Sequence, residues 1–189
     1  MITADWTTAS RLLLQDKIGV IPTDTIYGFS ARVENLEGIE RIYQAKSRDP
    51  KKSLVILASS LEQILEFFPI TTTPQYQEAL QESEKSPLSI VYPLDREKRN
   101  AWSHPYYHGD SLAIRIPYQK PELIKLLEKT GPIVSTSVNR EGEPSKTHPD
   151  DIEQSFGIDI DFILEEGVLA GRSSQIIRIT QNGNREILR

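Results

Sequence analysis

The chain has 189 residues, no cysteine, and 22 Lys and Arg against 27 Asp and Glu, for a formal charge of −5. That length suits one domain over residues 1–189, and the missing cysteines exclude disulfides, thiolate nucleophiles, cysteine zinc sites and iron–sulfur ligation. Net acidity argues against coating of nucleic acid by the whole surface. No apolar run is long enough to span a membrane, and the N-terminus lacks the basic-then-apolar order of a signal peptide, so a cytoplasmic location is expected.

Residues 5–17 predict a helix with Asp5 or Thr7 as cap and Leu12–Leu14 as the apolar face, ended by Gly19. Val20 and Ile21 begin a short strand that stops at Pro22, and TDTIYGFSA reads as a strand-to-loop transition because it holds Gly28 among small polar residues. Asn35 would cap a helix over 35–45, with Gly38 weakening it and Leu36, Ile39, Ile42 and Tyr43 on one side. SLVILAS (53–59) is an apolar, β-branched strand, and 60–68 a helix with Ser60 and Gln63 at capping-box spacing. A polar-faced helix is expected over 73–84, a strand over 87–93, and a long loop over 95–110. Then follow a strand over 111–117, a helix over 121–131 that starts on Pro121 and ends at Gly131, and a strand over 133–137. After a polar turn, 148–157 reads as an acidic helix. Strands at 162–167 and 174–180, a QNG turn at 181–183 and a returning strand close the chain. Helices mixed with strands and no repeat imply one sheet with helices on its faces, an α/β or α+β architecture.

Three polar segments adjoin apolar strands: Pro22–Gly28, Lys46–Ser53 and Ser135–Asn139. Such strand ends are where α/β proteins place ligand sites. Lys46-Ser-Arg48 followed by Lys51-Lys52 offers a rigid donor fork and point charges, the two tools used on phosphates. The same bases would also suit a solvated helix C-terminus. Ser135, Ser137 and Asn139 offer hydroxyl and amide groups, and Thr23-Asp24-Thr25 fits a side-chain-bonded turn. Neither GxxxxGK[ST] nor GxGxxG occurs. His104, His108 and His148 have no recognised metal spacing, and Pro105 argues against a helix that would align the first two.

Taken in order, PTDTIYGFSA (22–31), IYQAKSRDPKKSLVIL (42–57), SPLSIVYP (86–93), LAIRIP (112–117) and GPIVSTSVNREGEPS (131–145) resemble the threonylcarbamoyl-AMP synthase family, the TsaC/YrdC/Sua5 proteins. AGRSSQIIRI (170–179) is similar to that family's closing segment. The resemblance covers nearly the whole chain and implies a short, single YrdC-like domain: a YrdC/RibB-like three-layer fold with a twisted mixed sheet flanked by helices. It implies a nucleotidyltransferase that takes L-threonine, bicarbonate and ATP with Mg²⁺ and releases pyrophosphate and threonylcarbamoyl-AMP. That product would feed N6-threonylcarbamoyladenosine formation at tRNA position 37 through a partner transferase complex, with direct tRNA contact left open. No protein-bound zinc, haem or iron–sulfur cluster is expected, and no membrane partner. The resemblance assigns Lys46 and Arg48 to the ATP phosphates, and Ser137 and Asn139 to the nucleotide end and the reacting groups. Thr23 and Thr25 fall near threonine and its carbamate, Tyr27 in the same pocket, and Lys52 and Arg115 on further bases of the family. Ser135 joins the substrate-binding set, and Ser174 lies in the segment that covers the nucleotide. Ser53 and Ser173 stand where the family has proline, Val138 where it has alanine, and Phe29 where it has leucine. Two other readings follow from the same residues: a paralogue with another carbamoyl-adenylating activity, and a non-catalytic RNA-binding module built on the basic run at 41–52.

Overall fold

The computed structural model describes residues 2–95, 110–180 and 184–189. The expected loop over 95–110, with His104 and His108, lies almost wholly outside them, as does the QNG turn. The described residues form ten strands and six helices in the order β1 (Ile2–Ala4), α1 (Trp6–Leu14), β2 (Gly19–Pro22), β3 (Tyr27–Arg32), α2 (Leu36–Lys46), β4 (Val55–Leu57), α3 (Leu61–Phe67), α4 (Pro74–Ser83) and β5 (Leu88–Pro93), then β6 (Ser111–Arg115), α5 (Pro121–Thr130), β7 (Ile133–Ser137), α6 (Pro149–Phe156), β8 (Phe162–Leu164), β9 (Gln175–Ile179) and β10 (Arg185–Ile187). All ten strands join one mixed sheet in the order β1-β8-β2-β3-β7-β4-β6-β5-β9-β10.

Strand side chains alternate across the sheet, so neighbouring residues serve opposite cores. Val20, Ile56, Val134 and Ile163 pack with Ile39 and Ile42 of α2, Ile64 of α3, Tyr76 of α4 and Phe156 of α6. Their neighbours Ile21, Leu57, Ile133 and Phe162 pack with Leu12 and Leu13 of α1 and Leu123, Leu126 and Leu127 of α5. Helices therefore cover both faces, which is the three-layer arrangement expected from the sequence.

Local chemistry sets several helix starts. Asp5, not Thr7, caps α1, accepting from the Thr8 N–H at 2.7 Å. Asn35 caps α2 through the Gly38 N–H at 2.8 Å. A Cβ on Gly38 would lie 2.4 Å from the Asn35 side chain and 2.6 Å from Ile18, so this glycine permits the cap instead of weakening the helix.

The structure corrects two readings. Gly19 does not end α1, which stops at Leu14; it opens β2, where a Cβ would meet the Phe162 ring at 2.4 Å. TDTIYGFSA is not a passage into a loop, because β2 and β3 pair antiparallel from Gly19↔Ser30 to Pro22↔Tyr27. The hairpin is closed by threonine side chains and lacks the Asn-Gly signal of two-residue turns. The first strand was also unforeseen: three residues before Asp5 pair parallel with β8.

Candidate active site

The β2–β3 turn is organised by hydroxyls. Thr23 Oγ1 donates to the Ile26 carbonyl at 2.7 Å and accepts from the backbone N–H groups of Thr25 and Ile26 at 3.2 and 3.3 Å. Thr25 Oγ1 stands 2.9 Å from Thr23 Oγ1 and accepts from Arg115 Nη1 at 3.2 Å. Asp24 points the other way, its side chain fully buried, with Oδ1 3.2 Å from Arg115 Nη2 and Oδ2 accepting the Tyr118 N–H at 3.0 Å. Burial pushes the Arg115 guanidinium below its ordinary pKa, the Asp24 carboxylate opposes that push, and Arg189 adds to it. Tyr27 sends its hydroxyl to Gly167 O at 2.8 Å and accepts the Glu166 N–H at 2.9 Å, pinning the chain that follows β8 beside the turn.

At the end of α2, Ser47 adopts a left-handed conformation with φ of 50°. That single residue separates the directions of its neighbours. Lys46 turns inward, only 2% exposed, and its ammonium donates to Ser137 O, to Asn139 O at 2.9 Å and to Asn139 Oδ1 at 3.0 Å. Three oxygens match the three N–H donors of a protonated lysine. Burial first, and Arg48 second, push its pKa down to about 8, which leaves it charged at neutral pH. Arg48 turns toward the β4 end and donates to Lys52 O at 3.3 Å and Ser53 O at 3.2 Å.

The end of β7 carries the third polar segment. Ser137 Oγ donates to Asn139 Oδ1 at 2.6 Å, while Asn139 Nδ2 donates to the carbonyls of Arg140 and Glu143 at 2.8 Å each. Gly28 pairs with Ser137 across β3 and β7, and a Cβ there would lie 2.5 Å from Ser135 Oγ. The glycine that suggested a loop thus makes room for the Ser135 hydroxyl. Ser174 Oγ pairs with Ser89 Oγ at 2.9 Å, and its carbonyl accepts from Arg189 Nε at 3.3 Å.

These parts surround one cavity of about 160 Å³. Thr23, Thr25, Tyr27, Arg48, Arg115, Ser135, Ser137 and Ser174 all line it, as do Ser53 and Ser173. Lys46, Lys52 and Asn139 do not line it: the first and last bind each other behind Ser137, and Lys52 pairs with Glu141. Two residues of the site escaped sequence reasoning. Arg189 lines the cavity, brought there by β10 pairing with β9 and by the Ile176 N–H donated to its carbonyl at 3.0 Å. Asp24 stands behind Arg115. A lone arginine at the last position carries no motif, whereas an aspartate between two threonines opposite an arginine in an apolar strand was a usable signal.

Arg48, Arg115 and Arg189 bring three guanidinium groups to a small cavity lined otherwise by hydroxyls and backbone. Burial lowers the Arg189 pKa and the nearby Arg48 charge lowers it further, while Asp24 offsets the charge of Arg115. Such a site favours a multiply charged anion. Among the described residues, no group of three or more His, Cys, Asp or Glu side chains gathers as a metal site, and no helix is long and apolar enough to cross a membrane.

A family model described as "Telomere recombination" (Sua5/YciO/YrdC) matches residues 11–189. The chain is 27% identical over 168 residues to a threonylcarbamoyl-AMP synthase of Klebsiella pneumoniae, covering 88% of this chain and 85% of that protein. It is 28% identical over 177 residues to a threonylcarbamoyl-AMP synthase of Pyrococcus abyssi, covering 92% of this chain but only 50% of that longer protein. A crystal structure of P. abyssi Sua5 complexed with L-threonine superposes with a TM-score of 0.82 at 26% identity, covering 97% of this chain and 53% of that one.

Proposed function

The chain belongs to the Sua5/YciO/YrdC family, and from that premise we propose that it is an L-threonylcarbamoyladenylate synthase. It would join L-threonine, bicarbonate and ATP, release pyrophosphate, and pass threonylcarbamoyl-AMP to a transferase complex that modifies tRNA in the cytoplasm. The observation that carries this reading is the convergence of Arg48, Arg115 and Arg189 with the hydroxyls of Thr23, Thr25, Ser135, Ser137 and Ser174 on one cavity.

The chemistry asks for that composition. Threonine's amine adds to bicarbonate-derived carbon dioxide, giving N-carboxy-threonine. A carboxylate oxygen of this carbamate attacks the α-phosphorus of ATP, the bond to the β-phosphate breaks, and pyrophosphate carries away the electron pair. The nucleophile belongs to the substrate, so the protein needs no serine–base pair; it aligns the reactants and neutralises charge on the phosphoryl oxygens. In this assignment Arg48 and Arg189 meet the phosphates, and Ser137 and Ser174 hydrogen-bond the nucleotide. Thr23, Thr25, Tyr27, Arg115 and Ser135 surround the amino-acid end. Asn139 and Lys46 fix Ser137, and Lys52 adds charge outside the cavity. The cavity's own donors are cations and hydroxyls, a poor set for a protein-held Mg²⁺, so the Mg²⁺ of the reaction belongs with ATP as part of the substrate.

The test incubates purified protein with ATP, Mg²⁺, bicarbonate and either threonine or serine, and follows pyrophosphate and the adenylate by mass. Threonine-dependent threonylcarbamoyl-AMP is expected, and Arg48→Ala should lower its formation at least ~100-fold by removing a charged contact to the transferring group. Threonine-independent pyrophosphate release, or full activity of a folded Arg48→Ala protein, would overturn the reading.

A further inference from the structure

Ser89 places a hydroxyl inside an apolar strand. It follows Leu88 and precedes Ile90 in β5, both of them core residues, and it is fully buried. A buried hydroxyl costs free energy unless it is hydrogen-bonded. Among the described residues, the Ser89 hydroxyl has one hydrogen-bond partner, the Ser174 hydroxyl at 2.9 Å. β5 and β9 pair parallel with Ser89 opposite Ile176, so Ser174, two residues ahead of Ile176, is a diagonal neighbour on the same face. The two serines differ in what they touch. Ser174 and Ile176 line the cavity, and Ser89 does not. Ser89 therefore reaches the cavity through Ser174.

The backbone around Ser174 is tied to the end of the chain. The Ser174 carbonyl accepts from Arg189 Nε at 3.3 Å, and the Ile176 N–H donates to the Arg189 carbonyl at 3.0 Å. What these contacts leave open is the single torsion that aims the Ser174 hydroxyl, which has three staggered positions. The Ser89 contact selects one of them. A hydroxyl carries one hydrogen and two lone pairs. Either serine can donate in this contact, and in both cases Ser174 keeps at least one lone pair for a ligand in the cavity.

We propose that Ser89 is a positioning residue that holds the Ser174 hydroxyl in the rotamer that meets the substrate. The inference rests on the synthase reading, in which Ser174 hydrogen-bonds the nucleotide. Alanine is among the residue types most often fully buried. A strand position that served packing alone would thus need no oxygen, and the Ser89 oxygen is spent on a cavity residue.

Steady-state pyrophosphate release is measured at varied ATP and varied L-threonine for the native protein, Ser89→Ala, Ser174→Ala and the double variant. Freeing Ser174 among three rotamers costs about threefold by statistics alone, and losing a neutral hydrogen bond costs up to about tenfold. Ser89→Ala should therefore raise KM for ATP about three- to tenfold. In the Ser174→Ala background the same substitution should change it less than about twofold, because the contact through which it acts is gone. A merely structural Ser89 would act equally in both backgrounds. Ser89→Thr and Ser89→Val have the same bulk and differ by the hydroxyl, so Ser89→Thr should keep the lower KM for ATP. If the KM for threonine rises in place of that for ATP, and again only while Ser174 is present, the proposal is supported and the hydroxyl meets the amino-acid end. Native KM values for both substrates in Ser89→Ala, or an equal effect in both backgrounds, would overturn it, as would equal KM values in folded Ser89→Thr and Ser89→Val. Should those two bulkier variants not fold, the alanine cycle decides. Calorimetric titration of ATP and of threonine repeats the comparison without turnover. A native chain that releases no pyrophosphate therefore counts against the synthase reading alone, while native affinity for both ligands in Ser89→Ala counts against this inference alone.

Discussion

At the scale of single residues, the inward turn of Lys46 has a measurable signature. Its ammonium is enclosed by three oxygens of the Ser137–Asn139 segment and sits 5.6 Å from the centre of the Phe29 ring. Burial lowers its pKa from 10.5 to about 8. Between those two values the unfolded chain holds a proton that the folded chain has released. Stability contributed by this group therefore rises with pH across that window, by at most about 1.4 kcal/mol per pH unit, and is flat below it. Replacing Lys46 by Met removes the titrating group. The unfolding free energy of the native protein minus that of Lys46→Met, measured by denaturant titration, should thus climb from pH 8 to pH 10. A difference that stays level over the same range would mean that Lys46 keeps its ordinary pKa in the fold.

At the scale of elements, the end of α2 depends on one backbone conformation. Ser47 at φ of 50° lets Lys46 face inward while Arg48 faces the cavity. Left-handed backbone costs an L-residue about 1–2 kcal/mol, and glycine much less. Ser47→Gly should leave stability equal or slightly higher. Ser47→Val, branched at Cβ, should lose about 1–2 kcal/mol and reduce pyrophosphate release by misdirecting both bases; equal melting temperatures for the two variants would contradict this. The K-x-R spacing was legible in the sequence, but nothing in it revealed that the middle residue splits the pair. The same holds at Gly28, where a glycine among polar residues suggests a loop until β7 supplies the Ser135 hydroxyl 2.5 Å from a would-be Cβ. Amphipathic helices such as α1, α2 and α5 were readable because their period of burial is local. Strand partners were not, since pairing across the chain, such as β1 with β8, leaves no local pattern.

At the scale of the molecule, the cavity draws on segments from Thr23 to Arg189, so a ligand there ties together both halves of the sheet and the end of the chain. Anything that binds the folded state alone stabilises it, by about 2.7 kcal/mol at one hundred times its Kd. For a chain of this length that corresponds to a rise in Tm of about 5–11 °C. ATP at that level should produce such a shift. Arg189→Ala removes one charged hydrogen-bonding group, worth about 1.5–3 kcal/mol, and so weakens ATP binding by about 10–100-fold. At the same ATP concentration the ligand would then stand at only about 1–10 times Kd, and the stabilisation would fall to about 0.4–1.4 kcal/mol, a shift of about 1–6 °C. Adenosine, which lacks phosphates, separates a local effect from a global one. Its smaller shift should be the same in native and Arg189→Ala proteins, because the guanidinium acts on charge that adenosine does not carry. Equal ATP shifts in the two proteins would place Arg189 outside the phosphate contacts, whereas a loss of the adenosine shift as well would mean that the end of the chain holds the whole cavity in shape.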